Sequence, residues 1–301
     1  MPNHIELGAI KLMINLKRFS IIGALLASFI TQNSSAEPIY WVAQKQQVQL
    51  LLLGSIHVGD ASMYPLPSPV MNFLEHSDGF VSEIDLTNQS APVLPQSELS
   101  TQQALNSLQT NKLTTLLKQH RLPIEAMLSS PPWLTAMSLQ MKQINALGYH
   151  GEFGVDKVLT KQAVKLNIPM YPLETIDFQL NMLNSLPENG APLLTELIEQ
   201  WDKADDIFEC QIDSWKNGDK DSLLTLLDSE EYDETMINML LGDRNRAWAK
   251  QLDSGLLPKS GQFFVVVGAL HLIGEDNLIT LMKQQGWQIE QLSNSKTTSC
   301  I

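Results

Sequence analysis

The sequence predicts an α/β fold in which two related strand-helix-strand units flank a central helical region. Two observations predict it directly: short apolar runs of strand length alternate with helical periods, and two of those runs end in the same GxxH pattern. A third is the dominance of helical periodicity between about Gln102 and Asp253. With 301 residues and 44% hydrophobic content, the chain can bury a substantial core.

At the N-terminus, Lys17 and Arg18 precede an apolar stretch from Phe19 to Ile30, and Ser34-Ser35-Ala36 follows as a small-x-small cleavage pattern. This reads as a signal peptide over residues 1–36, leaving one domain over 37–301 in the periplasm or outside the cell. The apolar stretch is shorter than the roughly 20 residues of a spanning helix. No stable membrane anchor is therefore expected once the signal is removed.

Ile39 to Val42 and Val48 to Leu53 form a strand pair, with Gly54 closing the second strand. Pro67 to His76 has helical spacing, and Gly79 to Asp85 returns to a short strand that carries Glu83. Asn88 to Thr101 is a Pro-, Ser- and Gln-rich loop. Pro131-Pro132-Trp133 opens a helix on which Trp133, Met137 and Met141 are expected to form one buried stripe. A helix to about Leu166 precedes a strand from Ile168 to Glu174. The chain closes with a strand from Phe263 to Val267, a helix from Asp276 to Gln285 and a last strand near Trp287 to Leu292.

A net charge of −13 and a pI near 4.8, with no basic run, exclude nucleic acid as an expected partner. Cys210 and Cys300 lack metal-thiolate spacing and read either as a disulfide of an exported protein or as two separate thiols. His76, His120 and His150 lie outside any repeated pattern and are expected to be surface or structural residues.

The chemistry gathers at the repeat. Gly54-Ser55-Ile56-His57 and Gly268-Ala269-Leu270-His271 each follow an apolar strand and precede an apolar residue, a glycine and an acid. In parallel sheets ligands bind beyond the carboxyl ends of strands, so both histidines are expected at one edge. Imidazoles and a carboxylate are a donor set for a divalent transition metal, with Glu83 as the third ligand. A metal-bound water would then serve amide or ester hydrolysis. Ser55 lacks the GxSxG elbow of a serine hydrolase.

These motifs, with Glu83 in Ser-Glu-Ile-Asp, Pro132-Trp133, Phe153-Gly154-Val155-Asp156, Leu173-Glu174-Thr175 with Gln179, and Asp243-Arg244-Asn245-Arg246-Ala247-Trp248, resemble the TraB/GumN family. That family includes Tiki-type metalloproteases and is remotely similar to erythromycin esterases and ChaN-type haem-binding lipoproteins. The resemblance covers about Tyr40 to Leu292. It implies a metallopeptidase site for manganese or cobalt, with His57, Glu83 and His271 as ligands or acid/base groups. Asp156 either joins that shell or orients a histidine, or else serves as a helix N-cap. Arg244 and Asn245 sit on a helix, where they would position substrate. Glu174 either faces the same crevice or caps a helix.

The leading expectation is an exported metal-dependent hydrolase acting on a peptide or another small secreted substrate. Two alternatives stand beside it: a binding protein for haem, a metal or a secreted ligand, and an exported factor that occludes a signalling peptide.

Overall fold

Alternation of a buried apolar run with polar punctuation produces six strands. The computed structural model describes residues 36–87, 92–227 and 233–298. The expected signal segment therefore lies outside the described residues but for Ala36, and so does Cys300 of the expected disulfide. The strands are β1 (Tyr40–Lys45), β2 (Gln47–Ser55), β3 (Gly79–Ser82), β4 (Met170–Pro172), β5 (Ser260–Gly268) and β6 (Gln288–Gln291). Gln46, at a φ of 52°, turns β1 back onto β2.

The six form one mixed sheet in the order β4-β3-β5-β2-β1-β6. β2, β5, β3 and β4 run parallel, while β1 is antiparallel to both β2 and β6. Leu50 to Leu53 and Phe263 to Val267 are buried, as continuous apolar runs in the covered centre of a parallel sheet should be. The fold is thus mixed α/β, as the alternation of periods predicts. β2 and β3 do run the same way, but β5, from much later in the chain, lies between them.

The helices Ser107–Gln119, Pro132–Ala146 and Ala191–Glu199 build a second core around Leu113, Leu117, Leu139, Leu194 and Ile198. Ser100 with Gln103 and Asn106 with Gln109 close capping boxes at the starts of the helices Thr101–Ala104 and Ser107–Gln119, satisfying the first backbone donors. The stripe expected on the helix Pro132–Ala146 needs correction. Trp133 is buried, Met141 is half-buried and Met137 is 45% exposed. The buried face instead runs through Trp133, Ala136, Leu139 and Gln143. At 100° per residue, i+4 and i+8 drift away from that face while i+3 stays on it.

Among the described residues, no helix is long and apolar enough to cross a membrane. His76 is exposed, and His120 packs edge-on against Trp201. The His150 backbone pairs with Gly59, tying the loop after β2 to the start of the turn at Gly151.

Candidate active site

β2 and β5 carry the GxxH motifs side by side, but their register is slipped by one residue: Ser55 pairs with Gly268, and Gly54 with Val267. Since side chains alternate faces, this slip sends the two motif glycines to opposite sides of the sheet. A Cβ on Gly54 would stand 2.8 Å from Ile39 Cγ1, in the core. One on Gly268 would stand 3.4 Å from Glu83 Oε1 and 3.5 Å from His271 Cδ2. The repeat is therefore local in sequence and unequal in space.

His271 sits on the short turn Ala269–Leu272 and is 4% exposed. Its Nε2 lies 3.0 Å from Arg244 Nη1, and its Nδ1 lies 2.7 Å from Asn245 Oδ1. Guanidinium can only donate, so Nε2 holds the lone pair and Nδ1 carries the proton that Asn245 accepts. The Asn245 amide is oriented in turn by donating to the Asp276 carbonyl. Burial lowers the His271 pKa from 6.5 to about 3, so the ring is neutral.

Glu83 follows β3 directly. Its Oε1 accepts from the Gly268 amide at 2.8 Å, and its Oε2 accepts from Arg244 Nη2 at 2.6 Å and Gln179 Nε2 at 3.2 Å. Burial alone would raise its pKa, but His271, Arg244 and His57 outweigh burial and hold the carboxyl at about 2. Glu174 arrives beside it because the β3–β4 pairing continues past the strand ends, with the Leu173 amide donating to Ser82 and the Glu174 amide to Glu83. The Glu174 carboxylate accepts from Arg244 Nε and Nη2, from Trp248 Nε1 at 2.9 Å and from Gln179 at 3.1 Å.

Arg244 joins these groups. It lies in the first turn of the helix Asp243–Asp253, just after a π-helical turn at Asn238–Gly242, a distortion common at functional sites. Besides the two carboxylates and His271, it donates to the Leu240 carbonyl, and its guanidinium lies over the Trp248 ring. Arg246, on the same helix, is exposed and pairs with Asp243 and Asp276.

His57 is different in character, with a side chain 67% exposed and Nδ1 3.3 Å from Asp156 Oδ2. Gly154 makes this pairing achievable, because any Cβ there would run into the His57 carbonyl. The Val155 amide then donates to the Ile56 carbonyl, clamping the loop. Gly154 is the N-cap of the helix Val155–Lys165, so Asp156 is not the cap and instead orients the histidine. The hydrogen bond to Asp156 is the leading cause that raises the His57 pKa to about 9.

His57, Glu83, Arg244 and His271 all line one cavity of about 430 Å³. Its remaining wall is mostly apolar, with Ile56, Leu193, Trp215, Leu223, Met236, Ile237, Leu240, Leu241 and Leu270. The segment Met236 to Leu241, apolar but for Asn238 and just ahead of Arg244, signals that wall, although nothing in it marks a cavity. Asn245 holds His271 and does not line this cavity. Glu174 and Gln179 stand behind Arg244.

These donors match the implied metal in type but not in arrangement. The types suit a borderline divalent ion, and His271 Nε2 lies 4.0 Å from Glu83 Oε1. However, the guanidinium of Arg244 already contacts both groups, and Asp156 is turned to His57. Among the described residues, no three of His, Cys, Asp and Glu stand together as an ion shell. As placed, the residues do not fit the metal.

The chain is 29% identical over 235 residues to the uncharacterized protein YbaP of Escherichia coli (strain K12), covering 77% of this chain and 87% of that protein. It has the same identity and coverage to the protein of that name in Shigella flexneri. No solved structure matches significantly. The sequence model of the TraB/PrgY/gumN family matches residues 39–291, a span that includes both GxxH motifs, Glu83, Glu174 and Arg244. On that match, the chain belongs to the TraB/PrgY/gumN family.

Proposed function

We propose that this chain is an exported hydrolase that cleaves an amide or ester bond in a substrate carrying an apolar segment. The observation that carries the reading is the placement of a polar cluster, His57, Glu83, Arg244 and His271, on a cavity whose other walls are mostly apolar. An apolar ligand segment gains burial along those walls, and its polar bond then faces the cluster.

The two imidazoles hold opposite proton states at neutral pH, which fits them for different tasks, His57 as an acid and His271 as a neutral support for Arg244. His57, kept protonated by Asp156, is the group that gives a proton to the leaving atom. His271, kept neutral by burial, has both ring nitrogens engaged and holds Arg244 in place through Nε2, while the ionised Glu83, with acceptor capacity left on Oε1, takes the proton of the attacking water. Arg244 supplies positive potential for the developing oxyanion, and Glu83 and Glu174 fix its position.

The apolar walls also favour a second reading, in which the protein holds an apolar ligand without reacting. The test is hydrolysis of a library of apolar peptides and acyl esters by the mature chain, with and without chelator, manganese or cobalt. Turnover lost in His57→Ala and His271→Ala supports the hydrolase. Turnover that survives chelation assigns the steps to the residues above, whereas a strict need for manganese or cobalt requires Arg244 to leave Glu83 and His271. Tight binding without turnover under all conditions supports the second reading.

A further inference from the structure

Ser55 ends β2, lines the cavity and is 3% exposed, yet its hydroxyl has no hydrogen-bond partner among the described residues. Buried polar atoms are nearly always paired, so one left open on a cavity wall points to the cavity's contents. Its strand partner is Gly268. Residues in register on parallel strands share a face, so Ser55 looks out on the side where Gly268 has no side chain. That missing side chain leaves a small recess bordered by Glu83 Oε1 and His271 Cδ2.

Around the recess, the other polar groups have partners. Glu83 is bonded to the Gly268 amide, Gln179 and Arg244, His271 to Asn245 and Arg244, and Arg244 to both glutamates. The Ser55 hydroxyl is the uncommitted donor. It has no base within hydrogen-bond reach, so the geometry gives it no activation as a nucleophile.

We propose that the Ser55 hydroxyl donates a hydrogen bond to the acyl oxygen of the substrate, seating the scissile carbonyl in the recess left by Gly268. No bond to Ser55 forms or breaks. This rests on the acyl-hydrolase reading, and it makes Ser55 the group that recognises a carbonyl at the end of an apolar chain.

The test compares wild type, Ser55→Ala and Ser55→Thr on 4-nitrophenyl octanoate, with and without manganese, and measures their unfolding. For Ser55→Ala the expected result is a kcat at least tenfold lower, with KM changed less than threefold and Tm equal or higher. Ser55→Thr, which restores the hydroxyl, recovers part of the rate. Unchanged kcat in Ser55→Ala overturns the proposal while leaving the hydrolase intact. A lowered Tm or failure to fold also overturns it, since the hydroxyl then has a structural partner. If wild type does not hydrolyse the ester, the hydrolase reading fails separately, and calorimetric titration with octanamide decides. A fivefold weaker affinity in Ser55→Ala then supports the contact, whereas equal affinity, or no wild-type binding, overturns it.

Discussion

Arg244 and Glu174 form a forked ion pair, with Nε 3.0 Å from Oε1 and Nη2 3.0 Å from Oε2 and both side chains buried. The same guanidinium neutralises Glu83. Removing it leaves the buried Glu174 carboxylate without a counter-charge and Glu83 with only His57 nearby, which costs about 3–5 kcal/mol. Arg244→Ala should therefore lower the denaturant midpoint sharply. Arg244→Lys should recover part of that loss, because an ammonium keeps the charge but not the fork. An Arg244→Ala midpoint equal to wild type would contradict the arrangement.

The two motif glycines should respond oppositely to the same change. Gly54→Ala pushes a methyl into Ile39 and the Ala269 backbone, an overpacking that costs about 1–3 kcal/mol. Gly268→Ala meets only ordinary contacts, so stability should hold, while the bulkier Gly268→Val should fill the recess and block ligand binding. Paired thermal melts and ligand titrations check both halves.

Asp156 raises the His57 pKa from 6.5 to about 9. The contact between them favours the folded state fully below pH 6.5, and that contribution fades as pH rises through about 9. Asp156→Asn should return the His57 titration toward 6.5, followed by imidazole NMR. A midpoint that stays near 9 would show that Asp156 is not the cause.

His271 works in the other direction. Its folded pKa of about 3 lies below the ordinary 6.5, so the unfolded chain takes up a proton that the fold refuses. Stability should fall as pH drops from 6.5 toward 3. Glu83, held at about 2 against an ordinary 4.5, contributes stability that is present above 4.5 and is lost as pH falls through 2. Urea midpoints measured down the pH scale should decline in both windows. His271→Gln should flatten the part between 6.5 and 4.5, and an unchanged slope there would refute the neutral-imidazole assignment.

The α/β class, the approximate strand positions and His271 are legible in the sequence because they rest on local periodicity or a repeated motif, Glu83 because it stands at a strand end, and Arg244 only through the resemblance to the family. The one-residue slip between the motifs is not legible there. It arises from pairing between β2 and β5, and the matching letters Gly54 and Gly268 conceal that they face opposite sides. Glu174 read equally as a cap or a site acid, since only its carboxylate contacts with Arg244 and Trp248 decide between them. Asn245 was expected to touch substrate, but the helix turns it to His271, a direction the letters cannot carry. Ser55 has no elbow motif to mark it, and its unpaired hydroxyl is visible only once burial is known.

The insertion of β5 between β2 and β3 also fixes the order in which the protein can mature. Until residues 260–268 emerge, β2 and β3 each keep an unpaired edge of apolar backbone, and the partners that close it, such as Gln47 with Ser260 and Gly79 with Phe263, lie far apart in the chain. Such long-range pairing is slow, and an open edge invites pairing with another chain. Nascent or truncated forms ending before β5 should therefore be both inactive and prone to aggregate, and a chaperone that shields the β2 edge would raise the yield of active protein.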